Sequence, residues 1–416
     1  QSTIFCEKEV LIIQTIFDFL NENIEDFRIK KPIRLIELFA GYGSQAMALK
    51  MLNVPFEHHF VCEVDPYAIK TYNAFHQTNF EISDITKIHG DDLKIQERDR
   101  FDYILTYSFP CTDLSLMGKQ KGMAKGSNTR SSLLWEVERI LKELGDDLPQ
   151  ILVMENVPQV LKESGWNEWY CFLEKLGYSN YCEVLNSKDY FIPQNRERVF
   201  MVSILGDYNY TFPPTMELKY HMKDFLEQSV DQKYYISDKL LKCLTDTNDR
   251  NGFIRGKLFR PHDLNTAYIS WTITTAPRGR AADNFIIDVK GIRILTPKEC
   301  FRLMGIQDTY IAKLNVSNTQ AYKQAGNSIV VTVLMAVFGK MLDLDYEEKI
   351  KDMTKNIIKQ HPKTKADKIF KPLGASNHSL EEREKRRFFV RNRKIPNKTE
   401  SVCHFTVDQL KTSRFC

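Results

Sequence analysis

Between residues 33 and 205 the chain alternates short apolar runs with longer amphipathic ones, and this alternation constrains the fold more than any other feature of the sequence. Runs at 33–39, 59–64, 101–107, 151–155, 181–185 and 199–205 read as strands. Helical patterns at 44–52, 66–75, 131–144 and 159–176 lie between them. Strands joined through helices need crossover connections, so the predicted class is α/β. The expected architecture is a mostly parallel, Rossmann-like sheet with helices on both faces.

Outside that stretch the pattern changes. Residues 7–20 place Val10, Leu11, Ile13, Ile16, Phe17 and Leu20 at helical spacing and predict a helix. From 206 to 290 the alternation disappears, with Pro213–Pro214 and scattered aromatics, which predicts a smaller irregular domain. Helical patterns resume at 297–304 and over 318–341. The expected organisation is an N-terminal helical extension (1–30), a catalytic domain (31–205), the irregular domain (206–290), a return to the first domain (291–344) and a basic C-terminal extension (345–416).

Composition narrows the setting. Nine scattered cysteines with no Cys-x-x-Cys pair argue against a disulfide framework and a zinc cluster, so no metal is expected. An intracellular, reducing location follows, which in a bacterium is the cytoplasm around the nucleoid. The longest apolar runs, such as 329–338, fall short of the roughly 20 residues that span a bilayer, and neither a membrane nor a signal peptide is expected. Net charge is +4, yet residues 351–400 carry 15 Lys and Arg against 6 Asp and Glu. Such a tail suits contact with phosphates, or with nothing but solvent.

Four short segments carry chemistry. Phe39-Ala-Gly-Tyr-Gly-Ser44 follows the first strand and opens a helix, an arrangement that brings backbone close to a ligand. Glu63 ends the second strand, where an acid hydrogen-bonds ribose hydroxyls. Loop and acid together suggest an adenosine-containing ligand without separating a nicotinamide from S-adenosylmethionine. Pro110-Cys111 follows the strand at 101–107 and precedes a stretch rich in glycine and lysine, including Gly118, Lys119, Lys121, Gly122, Lys125 and Gly126. A structural cysteine needs no such flap beside it. Glu155-Asn-Val157 ends the next strand on the same edge, where an apolar wall raises a carboxyl pKa. Gln194-Asn-Arg-Glu-Arg198 places two arginines two residues apart, on one side of the chain if it is extended.

These segments, in this order, resemble the motifs of the DNA (cytosine-5) methyltransferases of the modification-methylase type. The resemblance continues through Arg293-Ile-Leu-Thr-Pro-Lys-Glu-Cys-Phe-Arg-Leu-Met-Gly305 and Gln320-Ala-Tyr-Lys-Gln-Ala-Gly-Asn-Ser-Ile-Val330, and spans residues 33–341. One departure is Pro-Cys-Thr112 where the family has Pro-Cys-Gln. The resemblance implies S-adenosyl-L-methionine as cofactor, S-adenosyl-L-homocysteine as product and double-stranded DNA as partner. It also implies a monomer working beside a cognate restriction endonuclease on the same site. Cys111 is implied as the nucleophile on a flipped cytosine, with Glu155, Arg196 and Arg198 completing the catalytic set. Phe39, Ala40, Gly41, Gly43, Glu63, Val64, Asp84, Ile85, Pro110, Leu133, Asn327 and Ile329 would form the cofactor pocket. Ser115, Met117, Gly118 and Arg130, on the loop 112–130, would meet DNA. Thr272, Thr274, Arg278 and Arg280 would do so from the recognition domain. The alternatives are a tRNA methyltransferase of the same family, an inactive DNA-binding regulator on the same scaffold and a nicotinamide oxidoreductase. The Gly-Lys-Gln-Lys-Gly stretch and the long variable region favour DNA over RNA.

Overall fold

In the computed structural model, residues 24–111, 122–127, 129–245, 259–264, 266–276 and 283–359 are described. Along the first half run β1 (Ile33–Leu38), α1 (Ser44–Met51), β2 (Phe56–Cys62), α2 (Pro66–His76), β3 (Asp102–Tyr107) and α3 (Leu134–Leu144). They are followed by β4 (Ile151–Asn156), α4 (Ser164–Lys175), β5 (Tyr178–Asn186), the short β6 (Gln194–Asn195) and β7 (Glu197–Leu205). Six strands form one sheet in the order β2–β1–β3–β4–β7–β5. The first four are mutually parallel, as the alternation requires. At the far edge β7 runs antiparallel to both β4 and β5. Between β5 and β7 there is no crossover helix, only a 3₁₀ turn at Ser187–Tyr190, and a connection without a crossover returns its strand antiparallel.

Successive residues of the central strands serve opposite faces. Leu35, Ile151, Val153 and Val202 face a core shared with α1, while Ile36, Leu38, Leu152, Met154 and Met201 face α3 and α4. This two-residue period on a sheet buried from both sides explains why the strands read as nearly continuous apolar runs.

The second half contains α5 (Asp238–Thr245), β8 (His262–Asp263), β9 (Ser270–Trp271), β10 (Phe285–Asp288) and β11 (Gly291–Ile294). Then come α6 (Pro297–Arg302), α7 (Asp308–Ile311), α8 (Asn318–Asn327), α9 (Val331–Met341) and α10 (Tyr346–Lys359). β10 and β11 form an antiparallel hairpin, so the boundary expected at 290 falls inside one structural unit. Arg293, buried in that hairpin, donates to both carboxylate oxygens of Glu299 at 2.9 Å, and Glu299 closes a capping box with Thr296 at the start of α6. A bidentate pair of this kind fixes the irregular region to the returning chain.

Two other expectations change. The segment 318–341 is two helices, broken at 328–330. It contains an 18-residue window apolar enough by composition to cross a membrane, but 78% of that window is buried within the protein. Its second half, α9, has no polar face: every residue from Val331 to Gly339 is buried, which suits a helix laid between the sheet and α10. The basic extension does not begin at 345, because α10 buries Ile350, Met353 and Ile357 in the main core. The chain before β1 is also tied in, with backbone bonds from Phe27 to Asn209 and from Ile29 to Met341, both 2.8 Å. The helix expected at 7–20 and the basic residues from 360 onward lie outside the described residues.

A chain ended after residue 344 loses four buried apolar side chains, Tyr346, Ile350, Met353 and Ile357, each worth about 2–5 kcal/mol in truncation experiments. It is expected to lose its cooperative thermal transition or to melt well below the full chain. A chain ended after 359 keeps that core, and is expected to melt like the full chain while binding all DNA more weakly and with a shallower salt slope. Calorimetry and salt-dependent binding on the two truncations check this, and an unchanged salt slope after 359 would reject the tail as a phosphate contact.

Candidate active site

The carboxyl ends of β1 to β4 lie along one edge, where an open α/β sheet offers its crevice. β1 leads into a loop with positive φ at Phe39 (58°), Gly41 (58°) and Gly43 (80°). Gly43 is indispensable for a second reason: a Cβ there would stand 2.5 Å from His76 Nε2 and 2.6 Å from the Tyr72 ring. Beneath the loop, buried Glu37 accepts from the Tyr72 hydroxyl and from the backbone N–H of Ala46 in α1. Burial pushes its carboxyl up to about 7, against the opposing effect of those two bonds. His58 Nδ1 lies 2.7 Å from the same tyrosine hydroxyl, and burial, with Lys50 nearby, lowers its pKa to about 4. No sequence signal marked this polar floor, because its members sit at positions that read as strand and helix interior.

Glu63 receives the loop. Its carboxylate accepts from the N–H of Gly41 and of Asp65, both at 2.8 Å, and so clamps the first glycine to the start of α2. Burial raises its pKa while these backbone donors lower it. Val64, next in sequence, is 63% exposed. The backbone bond from Ser83 to Glu63 sets the following turn alongside, where Asp84 caps the 3₁₀ helix Ile85–Lys87 and Ile85 is buried. Pro110 and Leu133 are brought together through Ser131, whose hydroxyl donates to the Pro110 carbonyl at 2.7 Å. Asn327 lies exposed at the end of α8 and Ile329 buried just beyond it. Lys323 and Gln324 of α8 bond to Asp65 and to the Tyr67 carbonyl at the start of α2. The late helix is thus carried to the glycine loop, as the cofactor expectation requires.

Cys111 is half-buried in the loop that follows β3. That loop is held by Asn156, whose amide donates to the Phe109 carbonyl at 3.0 Å while its side-chain oxygen accepts from Val157. Glu155, buried at the end of β4, lies 3.1 Å from Arg198 Nε at the start of β7. Burial raises the Glu155 pKa, and Arg198 and then Arg196 oppose it. Burial also raises the Cys111 thiol, Arg198 lowers it, and Glu155 raises it further. Thiol, carboxyl and guanidinium therefore share one electrostatic site.

Arg196 stands apart from Arg198. It lies between β6 and β7 in a tight turn, with its N–H bonded to the Gln194 carbonyl at 3.0 Å, so the extended geometry expected of the pair does not hold there. Only 3% exposed, its guanidinium donates to the carbonyls of Ile273 (3.1 Å), Gly326 (2.9 Å) and Ser328 (2.7 Å). Burial, with Arg198 nearby, lowers its pKa to about 9. The Tyr42 hydroxyl adds a contact of 2.6 Å to the Ser328 hydroxyl. Together these bonds end α8 and restart the chain as α9.

Of the residues expected to meet DNA, Ser115, Met117, Gly118, Arg278 and Arg280 lie outside the described residues. Arg130 is exposed at the start of the 3₁₀ turn Arg130–Leu133. Two bonds nearby hold the loop's far end: Trp135 donates to the buried Met123 carbonyl at 2.8 Å and Lys125 reaches Glu138 at 2.7 Å. Thr272 and Thr274 hold structure with their hydroxyls, bonding to the Asn195 carbonyl at 2.7 Å and to Asp283 at 3.1 Å.

A sequence profile for C-5 cytosine-specific DNA methylases matches residues 33–343. Among curated proteins, the type II methyltransferase M2.ScrFI of Lactococcus lactis subsp. cremoris is 32% identical over 372 residues, covering 74% of this chain and 99% of the relative. The type II methyltransferase M.SsoII of Shigella sonnei is 34% identical over 324 residues, covering 74% and 80%. Among solved structures, a Dnmt2 methyltransferase of S. pombe superposes with a TM-score of 0.62 at 20% identity, covering 74% of this chain and 98% of its own. That likeness concerns the fold.

Arg196 can be tested directly. Removing it strands one buried carbonyl and two partly buried ones, and hydrogen bonds to a charged group contribute about 1.5–3 kcal/mol each. Arg196→Met is expected to lower stability by about 3 kcal/mol or more in urea denaturation, with Arg196→Lys intermediate because an ammonium lacks the planar fork. A variant as stable as the wild type would show that the carbonyls do not depend on it.

Proposed function

The chain belongs to the C-5 cytosine-specific DNA methylase family, and from that premise we propose that it methylates carbon 5 of a cytosine flipped out of double-stranded DNA, using S-adenosylmethionine and a covalent bond between Cys111 and C6. The observation that carries this reading is the Glu155–Arg198 pair beside Cys111, on the same sheet edge as the glycine loop. The reading also includes protection of DNA from a cognate endonuclease, in keeping with relatives named type II methyltransferases.

The residues fit the cofactor. No described atom lies within 4 Å of where a Cβ of Gly41 would stand, so the loop leaves room for a ligand against its backbone. Glu63 keeps acceptor capacity for ribose hydroxyls beyond the two N–H groups it already serves, since an ionised carboxylate has about four lone-pair sites. The exposed face of Val64 would meet adenine and Asp84 its amine, with Phe39, Ala40, Pro110, Leu133, Asn327 and Ile329 closing the pocket. When bound, S-adenosylmethionine supplies an electrophilic methyl group on a sulfonium.

The chain's own residues make cytosine reactive. C5 of the aromatic base is a weak nucleophile. Addition of the Cys111 thiolate to C6 forms the Sγ–C6 bond and leaves electron density on C5. Glu155, whose pKa burial raises, donates a proton to N3 as negative charge develops there and accepts from the exocyclic amine. Arg198 holds O2 and stabilises the same charge. Once C5 carries the methyl group, loss of the C5 proton to water and cleavage of Sγ–C6 restore the aromatic ring and release the Cys111 thiolate, while N3 returns its proton to Glu155. The base is reachable only when extruded from the duplex.

A duplex carrying C5-fluorinated cytosine cannot lose a C5 proton and traps the adduct. Wild-type protein is expected to form it, and Cys111→Ser to form none while still binding DNA. Because burial holds the thiol above its ordinary pKa, adduct formation is expected to accelerate as pH rises from 7 through 9. An adduct persisting in Cys111→Ser assigns the attack to another residue.

Glu63→Ala removes the loop clamp and the ribose acceptor together. It is expected to weaken S-adenosylmethionine binding by roughly ten- to a hundredfold, the equivalent of about 1.5–3 kcal/mol, with DNA affinity little changed. Unchanged cofactor affinity by calorimetry would remove Glu63 from the pocket.

A further inference from the structure

Four tryptophans occur in the chain, and three of them, Trp135, Trp166 and Trp169, are buried. The fourth, Trp271, is 40% exposed in the irregular domain. An indole is costly to leave in water, and this one is presented on a rigid mount. Buried Asn284 brackets its peptide group, accepting from Trp271 N–H at 2.8 Å and donating to the Trp271 carbonyl at 3.0 Å. The same amide oxygen lies 3.2 Å from His262 Nε2, and the His262 ring packs against the indole with centroids 5.6 Å apart. Burial lowers the His262 pKa, so the ring under the indole is neutral at pH 7 and adds no charge to the surface.

The mount is wired to the catalytic strand. Trp271 pairs with Asn195 in the β6–β9 ladder, and Ser270 N–H bonds to the Pro193 carbonyl at 2.8 Å. Arg198 is three residues beyond Asn195, which limits the separation of their Cα atoms to about 11 Å. Three base pairs of duplex occupy nearly that length, at about 3.4 Å per step. A side chain there can touch DNA while Arg198 holds the extruded base.

Resting on the reading of the chain as a DNA methyltransferase, we infer that Trp271, set on His262 and Asn284, is a specificity-determining residue that lies against the groove edges of base pairs flanking the target cytosine. The face it offers is broad and apolar and carries one N–H donor. It suits a thymine methyl group or a single base acceptor in the major groove. Phosphate oxygens would call for a cation instead.

Trp271 is the exposed fluorophore among the four, so acrylamide quenching of tryptophan emission reads it with little interference. Addition of a duplex methylated by the wild type is expected to protect the quenchable emission. Bisulfite sequencing of a library with randomised flanks then compares wild type, Trp271→Phe and Trp271→Ala. Trp271→Ala is expected to narrow the ratio between preferred and disfavoured flanks at least tenfold. S-adenosylmethionine affinity and trapping at saturating DNA should be retained, and Trp271→Phe should keep most of the discrimination. Undiminished quenching in a complex that forms the fluorocytosine adduct overturns the inference, as does a rate loss in Trp271→Ala that is equal across all flanks. Concentration-dependent protection without DNA assigns the face to a second copy of the chain and overturns it too. A wild type that forms no adduct at all overturns the parent reading, and this one with it.

Discussion

The buried guanidinium of Arg196 holds three carbonyls from two segments far apart in the chain, and the remaining architecture of the site depends on it. It ends α8 where the helix meets the glycine loop, and it fixes Ile273, two residues past Trp271. Among the described residues no carboxylate is bonded to it. Peptide dipoles take up its charge, which suits a cation that must sit near an acid needed for chemistry: a second tight partner for Glu155 would keep that acid ionised. Arg196 is close enough to favour the Glu155 carboxylate electrostatically, but the hydrogen bonds it makes go to backbone carbonyls. Arg198 is left as the arginine that meets Glu155 directly.

That division of labour sets the resting state of the chemistry. Burial holds Glu155 toward its protonated form and Cys111 toward its thiol, while Arg198 pulls both toward the charged form. The two anions disfavour each other, so the site carries one negative charge more readily than two. On the proposed mechanism the base takes a proton at N3 from the acid and an electron pair at C6 from the thiolate, so the site keeps a single negative charge, moved from sulfur to Glu155.

Much of this was legible in the sequence because it lies at strand ends. Gly41, Gly43, Glu63, Cys111 and Glu155 each follow an apolar run directly, and a parallel sheet delivers all such positions to one edge. What was not legible depends on contacts between distant parts of the chain. Arg196 and Arg198 look equivalent by spacing, yet the turn at Gln194 sends them to different partners. Ile329 and Val330 continue an apolar helical pattern and hide the stop signal in Gly326-Asn-Ser328, a break that Arg196 and Tyr42 also hold from elsewhere. Helix α10 reads as part of a polar tail because its buried apolar residues, Tyr346, Ile350, Met353 and Ile357, are few, although they complete the core against α9. The polar floor of Glu37, Tyr72 and His58 was hidden in strands and helices that otherwise look apolar.

The late arrival of α8 and α9 has a consequence for how the protein is made. Both helices emerge from the ribosome long after the last strand of the main sheet, yet α9 covers one face of that sheet and α8 closes the glycine loop. A nascent chain that has completed its strands still exposes a wide apolar surface and lacks one wall of its pocket. Folding of the first half is thereby made to wait for the second. A truncated translation product would therefore carry Cys111 without the late helix that walls the glycine loop.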